Sequence, residues 1–320
     1  MHKSDIITMI QNLIHTVQIT KEKGYQFKII QYKKALKSFQ TLNDNVIITY
    51  NHVEEHLKTK SNLKNPKKIL QKVKIFIETG KLDEIQAITD NQKAIHILTA
   101  VHGIGIIKAK KLFEQNKIKT IKQLKNEGTN LLTDQQKISL KYTPNNGVIP
   151  KIPRPEILVL EKLLLSKFKK DITFDIAGSF RRGAQESGDI DILFTSKRNN
   201  KSSSKMITKF KDVVDYLVKN NILLDSLSSG PTKWMGYGKI DKIPRRIDLM
   251  FTSPEKYPFA ILYFTGSKEF NKNMRYVAKE LGYTLNEHGL TPNPGIKFEN
   301  EKDIFKFLKL DYVEPINRNT

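Results

Sequence analysis

Cysteine is absent from the 320-residue chain, which excludes disulfides, thiolate catalysis and cysteine-based zinc sites. No apolar run approaches the ~20 residues of a membrane-spanning helix. The N-terminal stretch MHKSDIITMIQNLIH is no secretory signal, because its apolar residues are periodic rather than continuous and no small-residue cleavage site follows. Neither a compact nuclear-import cluster nor a lipidation motif stands out, so the expectation is a soluble, intracellular protein, with nucleus, cytoplasm and virion left open. No internal repeat is evident. Acidic residues are scarce beside basic ones, at 33 Asp and Glu against 55 Lys and Arg.

The resulting net charge of +22 attracts polyanions and speeds encounter with them. Nucleic acid is the first candidate partner; an anionic membrane or an acidic protein is the rival. Part of the lysine excess fits an AT-rich coding bias, since Ile and Asn are frequent too. Hydrophobic residues make up 38% of the chain, enough for real cores, and the length favours two or more folding units.

The first half reads as helices. Ser4 can cap a helix whose Ile6, Ile10, Leu13 and Val17 share a face. Further helices are expected over residues 25–42, around Val53, and over 66–79 with Gly80 as the stop. Residues 99–124, TAVHGIGIIKAKKLFEQNKIKTIKQL, place a Gly-Ile-Gly turn between two helical stretches. In such a helix-hairpin-helix, Gly103 and Gly105 let the backbone approach a ligand closely. The free N–H groups of the second helix, aided by Lys108, Lys110 and Lys111, can then hold a DNA phosphate without reading sequence.

Residues 142–155, YTPNNGVIPKIPRP, read as a linker. After a helix over 156–167 the period changes to alternation in DITFDIAG, DIDILFT and RRIDLMFT, which indicates an α/β or α+β unit. Residues 196–206 are a polar loop leading into a helix, and a small mixed subdomain follows Pro258.

Alternation places Asp189 and Asp191 on one strand face while Ile190, Ile192 and Phe194 enter a core. Their Cα atoms lie ~7 Å apart at ~3.3 Å per residue, close enough for shared ions and costly without them. Hard carboxylate oxygens favour Mg²⁺. Asp248 repeats the pattern with Arg246 on its face and Ile247 and Leu249 inward, and on a neighbouring strand it completes a triad for two metal ions. Upstream, Gly178 ends a strand and SFRRG can open a helix, with nine residues between Ser179 and Asp189. Glycine, hydroxyl and helix N-terminus suit a phosphate, and Arg181 and Arg182 add charge.

The combination GS…DID, with RRIDL and LYFTGSKEFNKNMR (262–275), resembles family X DNA polymerases, and the similarity extends to HGIGIIKAKKLFE and EKDIFKFLKLDYVEP. The resemblance implies an α+β chain in four parts: a helical lyase-like domain (1–88), a helix-hairpin-helix subdomain (89–147), a catalytic palm with a mixed sheet (148–252), and a small nucleotide-selecting subdomain (253–320). It implies that Asp189, Asp191 and Asp248 hold two Mg²⁺ ions, with Mn²⁺ able to substitute. Gly178, Ser179, Arg182, Gly188 and Lys151 would contact the triphosphate; Tyr263, Phe264 and Gly266 the sugar; and Asn271 the base. Arg275 would probe the new pair from the minor groove, and Arg246 would touch DNA. The backbone carbonyls of Thr99, Val101 and Ile104 would ligate Na⁺ or K⁺.

In NPKKILQKVKIFIETGKL (65–82), the resemblance makes Lys72 a Schiff-base nucleophile, with Lys68, Lys28 and Tyr32 lining its pocket. The implied activity is template-directed gap filling in base-excision repair with 5′-deoxyribose-phosphate lyase activity. The partners would be gapped or nicked DNA, dNTP and a DNA ligase or other repair protein, with no membrane and a monomeric state. Template-independent transfer and a non-catalytic DNA-binding scaffold are the rivals. The chain departs from the pattern at NLKNPKK in place of a Gly-x-Gly hairpin, at Asp83 and Glu84 where the family is basic, at Lys268 and at His288.

Overall fold

Helical periodicity gives way to alternation near residue 170, and the architecture changes with it. The computed structural model describes residues 3–20, 24–40, 49–60, 63, 66–86, 90–168, 172–196 and 203–319. Two compact units emerge: the chain up to Ala100 with Ile104–Gly128, and Val101–Gly103 with Thr129–Thr320.

In the first unit, α1 (Lys3–Thr20), α2 (Tyr25–Gln40), α3 (Tyr50–Lys60) and α4 (Lys67–Thr79) enclose one core. Ile6, Ile10, Leu13 and Val17 are buried as their spacing predicts, joined by Met9, Phe39, Val53, Leu57 and Val73. Ser4 is not the cap expected of it: α1 already includes Lys3, so Ser4 lies within the first turn. The end of the second expected helix, at 41 and 42, falls outside the described residues. Gly80 stops α4 at φ 70°, its N–H returning to the Phe76 carbonyl, a left-handed cap that other residues adopt with strain. The short α5 (Asp83–Gln86) is followed by α6 (Asp90–Leu98), α7 (Ile106–Glu114) and α8 (Ile121–Glu127).

The second unit begins with α9 (Asp134–Tyr142), opened by a capping box between Thr133 and Gln136. Then come β1 (Ile152–Pro153), α10 (Arg154–Phe168), β2 (Thr173–Ile176), α11 (Gly178–Arg181), β3 (Glu186–Ser187), β4 (Ile190–Thr195) and α12 (Ser203–Lys219). They continue as β5 (Leu223–Gly230), β6 (Lys233–Lys239), β7 (Pro244–Phe251), α13 (Tyr257–Thr265), α14 (Lys268–Glu280), β8 (Thr284–Asn286), β9 (Gly289–Thr291) and α15 (Glu301–Phe307). The expected linker is therefore shorter than 142–155: it ends at β1, and the next helix starts at Arg154 rather than residue 156. A proline in a first helical turn, here Pro155, sacrifices no intrahelical hydrogen bond.

Five strands form a mixed sheet in the order β2-β4-β7-β6-β5, with β4 and β7 parallel and the other pairs antiparallel. Helices α10 and α12 cover one face through Leu160, Leu164, Phe210, Val213 and Leu217, which pack on Ile190, Ile192, Phe194, Ile247 and Leu249. On the other face Leu193 is buried against Ala177, Ala260 and Ile261. A separate aromatic-rich core gathers Phe259, Phe270, Phe298, Phe305 and neighbours from α13, α14 and α15. Among the described residues no helix is long and apolar enough to cross a membrane.

Candidate active site

The parallel pairing of β4 with β7 sets Asp191 opposite Asp248 and Ile190 opposite Ile247. Because side chains alternate, that register turns both acids to one face and both isoleucines to the core. Asp189 stands exposed in the bend just before β4. Past Asp191 the acid-bearing face is closed by Leu193 beneath α13, so the carboxylates occupy only the opening of the strand.

The three acids feel one another. Burial, then the charges of Asp189 and Asp248, push the Asp191 carboxyl up to about 7, against the opposing pull of Arg246 and Arg182. Asp248 is 8% exposed; burial raises its pKa too, while the Arg246 guanidinium counteracts. Arg246 grips both Asp248 oxygens, Nε to Oδ1 at 2.7 Å and Nη2 to Oδ2 at 3.2 Å. With Asp248 so engaged, no three His, Asp or Glu side chains among the described residues are gathered as an ion-holding set. The donor chemistry nevertheless fits divalent cations: hard oxygens at the mouth of a sheet, with more negative charge than the local arginines relieve. His102 shares this field, its pKa lowered by burial and by Arg246 and partly restored by Asp248.

Gly178 forms the wall beside Asp191. It holds φ 57°, and a Cβ there would lie 2.7 Å from Asp191 Oδ2. The adjoining Ala177 N–H donates to the Asp191 carbonyl at 2.8 Å. Gly178→Ala should therefore displace the carboxylate. If Asp191 is catalytic, misplacement by about 1 Å lowers turnover on the order of a hundredfold, which single-turnover kinetics beside a melting curve will read.

The turn that follows β2 is braced by side chains. Arg154 donates to the carbonyls of Phe180 and Ala184 at 2.7 and 3.3 Å and stacks 3.9 Å from the Phe180 ring centroid. Ser179 donates to Ser187 Oγ at 2.9 Å. The helix α11 is a single turn, so the phosphate affinity expected of a helix N-terminus reduces to the local N–H groups. Lys151 Nζ would lie 3.6 Å from a Cβ at Gly188, which joins two residues nominated for the triphosphate.

The two neighbouring arginines part ways. Arg181, expected to add charge for phosphate, is committed inward, with Nη2 on Glu301 Oε2 at 2.6 Å and Nη1 on Thr265 Oγ1 at 2.6 Å. Glu301 in turn accepts from the fully buried Arg318 at 2.5 Å. Arg182 instead bonds the Thr265 carbonyl at 2.6 Å and Asn319 Oδ1 at 2.8 Å. Burial lowers its pKa while Asp191 and Asp189 oppose, so its charge acts directly on the acids. Gly266, at φ 67°, would put a Cβ 3.3 Å from Arg182 Nη1, and the Tyr263 and Phe264 rings meet 5.1 Å apart just before it. Asn271 Nδ2 donates to the Tyr263 carbonyl at 2.6 Å. Tyr263, Asn271 and Arg275 line a shallow, open depression with Phe259, Met274 and Asn286 among its walls. Lys268 opens α14, and His288 is exposed, 3.8 Å from Glu287.

In the first unit Lys72, on α4, donates to Glu84. Lys68 lies one turn away and is exposed, Lys28 is half-buried and Tyr32 is buried. The hairpin turn has Gly103 at φ 86°, and α7 with Lys108 follows Gly105 directly. Within the second unit Gln136 Nε2 holds the Gly103 carbonyl at 2.7 Å. Within the first, Thr99 Oγ1 donates to the His96 carbonyl at 2.6 Å. Val101 falls in the second unit and Ile104 in the first.

Sequence reasoning missed Arg154, Thr265, Glu301, Arg318 and Asn319. Arg154 sat inside the supposed linker, and the Arg-Pro pair at the start of an apolar period was its one local signal. The others meet their partners from 17 to 137 residues away, which leaves no trace in spacing.

Comparison with known proteins identifies the family. A sequence profile of the DNA polymerase beta palm matches residues 151–254, one of the DNA polymerase beta thumb matches 260–319, and one of the fingers domain of DNA polymerase lambda matches 96–144. The DNA nucleotidylexotransferase of Xenopus laevis is 30% identical over 290 residues, covering 76% of this chain and 56% of the relative. The DNA polymerase lambda of Rattus norvegicus is 28% identical over 277 residues, covering 79% of this chain and 47% of its own. The chain thus spans about half the length of the curated relatives it matches. A crystal structure of Leishmania infantum polymerase beta, described as a ternary P/T complex, superposes with a TM-score of 0.64 at 30% identity, over 72% of this chain and 100% of that one. Because that relative is 30% identical and matched over its entire length, and the palm, thumb and fingers profiles match in order along the chain, this chain belongs to family X of the DNA polymerases.

Proposed function

We propose that the protein is a template-directed, gap-filling DNA polymerase of base-excision repair, built as the four segments 1–88, 89–147, 148–252 and 253–320. The observation that carries this reading is the register of Asp191 against Asp248 on parallel strands, with Asp189 at the mouth. Asp189, Asp191 and Asp248 would hold two Mg²⁺ ions, and Mn²⁺ suits the same oxygens. Bound there, the ions would assist deprotonation of the primer 3′-hydroxyl and offset charge on the leaving pyrophosphate.

The protein's own groups do the rest. Arg182, Ser179, Gly188 and Lys151 bind the triphosphate of the incoming dNTP, with the Gly178 backbone close by. Tyr263, Phe264 and Gly266 seat its sugar, and Asn271 and Arg275 face the new pair. Gly103, Gly105 and Lys108 hold a phosphate of gapped or nicked DNA, where a Na⁺ or K⁺ on the carbonyls of Thr99, Val101 and Ile104 would help. Arg246 must leave Asp248 when ions bind and is then free to meet the primer strand. The excess of positive charge draws DNA in.

One relative is a nucleotidylexotransferase, which keeps template-independent transfer as the second reading. Extension of a primer opposite a one-nucleotide gap, compared with the same primer single-stranded, separates the two. Gap filling with the templated base supports the first reading; efficient untemplated extension of the single strand supports the second; inertness with Mg²⁺ on both leaves only a DNA-binding scaffold.

The lyase assignment rests on Lys72, with Lys68, Lys28 and Tyr32 about it. Schiff-base attack uses the Lys72 amine as nucleophile. Lys72→Ala should abolish borohydride trapping on a 5′-deoxyribose-phosphate substrate; undiminished trapping in that variant would remove the lyase claim.

A further inference from the structure

We infer that Asn319 is a positioning residue for nucleotide binding, holding the Arg182 guanidinium in the orientation that receives the triphosphate. This rests on the assignment of Arg182 to the triphosphate made above. Asn319 Oδ1 accepts from Arg182 Nε at 2.8 Å, and Asn319 Nδ2 donates to the Arg182 carbonyl at 3.3 Å. The same amide donates to the Ile316 carbonyl at 3.2 Å. One side chain therefore clamps both the backbone and the head group of Arg182 and is itself fixed by its own segment.

The segment is anchored firmly. Arg318 is fully buried beside Phe270, Phe305 and Tyr312, with its Nη1 on Glu301. The Arg318 carbonyl accepts from the Ser267 N–H at 3.2 Å, which ties the segment to the turn after Gly266. Ile316 lies where a Cβ on Gly183 would come within 3.1 Å of it. Residues 314–319 thus touch the turn that follows β2 and the sugar-seating turn together.

The guanidinium has five N–H donors in a rigid plane. The Thr265 carbonyl and Asn319 take two of them, and three remain for phosphate oxygens. Together with the covalent stem, two bonded points fix the plane of the group; one leaves it free to turn. With Asn319 removed, Arg182 keeps its charge and the Thr265 bond but turns about that bond, and binding must then restrict the rotation.

The test is a double-mutant cycle by single-turnover incorporation on one-nucleotide-gapped DNA, reading the apparent dNTP Kd and the maximal rate separately. Asn319→Ala should raise the apparent Kd about threefold to tenfold, the worth of one ordinary hydrogen bond at an exposed side chain, with the maximal rate within about twofold and the melting temperature unchanged. Arg182→Lys, which lacks the Nε–H that Asn319 receives, should raise the Kd by itself, and adding Asn319→Ala to it should have a clearly smaller effect than in the wild type, since only the bond to the residue-182 carbonyl is then lost. An unchanged Kd in Asn319→Ala, or an effect that persists undiminished in the Arg182→Lys background, overturns the inference while the assignment of Arg182 stands. An Arg182→Lys variant with unaltered Kd removes that assignment, and this inference with it.

Discussion

Asp191→Asn is expected to lower nucleotide incorporation on the order of a thousandfold or more and, in EDTA, to raise the melting temperature. The two effects share a cause. Asp191 is half-buried, close to two further carboxylates, and its carboxyl is pushed up to about 7. A carboxyl whose folded pKa lies above its unfolded value favours the native state fully only below the unfolded value, about 4, and that advantage fades as pH rises to 7. Above pH 7 the wild-type protein without metal carries the whole penalty, at about 1.4 kcal/mol per unit. Allowing for water at the mouth of the site, the net is on the order of 2 kcal/mol, or roughly 4–8 °C for a unit of this size. Asparagine removes the charge and with it the fall in stability between pH 4 and 7. It also removes one of the proposed ion ligands, and a loss of several kcal/mol of transition-state stabilisation accounts for the expected fall in rate. Mg²⁺ should raise the melting temperature of the wild type and leave the variant nearly unmoved. A variant that melts lower in EDTA, or that still incorporates nucleotide at an appreciable rate, would contradict this account of the acids.

Glu301→Ala is expected to destabilise the second unit by about 3–5 kcal/mol, the usual consequence of leaving a buried charge without its partner. Glu301 is 6% exposed and serves two arginines, Arg318 at 2.5 Å and Arg181 at 2.6 Å. Arg318 is wholly enclosed and has one nitrogen, Nη2, with no hydrogen-bond partner, so it cannot turn to water when Glu301 is lost. Arg318→Met in the Glu301→Ala background should restore part of the stability, because an apolar side chain of similar length fills the aromatic surroundings without a charge. Urea unfolding of the four proteins gives the cycle; additive losses would show that the two side chains do not act as a pair.

What could be read in advance follows a physical rule. The strand acids were legible because alternation isolates them among apolar residues: Ile190, Ile192, Ile247 and Leu249 could enter a core only if Asp191 and Asp248 faced away. Alternation fixes which face each acid takes but not which residue it stands opposite, and β5 and β6 intervene in the sequence between β4 and β7, so their mutual register belongs to the tertiary fold. Helix starts were less legible, as Ser4 shows, because a capping residue one turn inside a helix has the same composition as one at its edge. The Arg181–Glu301–Arg318 network and the Asn319 clamp were invisible for a different reason. They depend on side chains brought together from distant segments, and a single arginine in GSFRR carries no mark that tells the inward member from the outward one. Glu84 beside Lys72 was visible as a reversed charge, but its contact was not.

The most direct measurement is a crystal structure of the protein with one-nucleotide-gapped DNA, a non-hydrolysable dNTP and Mn²⁺, with the metal located by anomalous scattering. The account predicts anomalous peaks within coordinating distance of Asp189, Asp191 and Asp248, with Arg246 released from Asp248. Peaks elsewhere, or Arg246 still bonded to both Asp248 oxygens with the nucleotide bound, would contradict it.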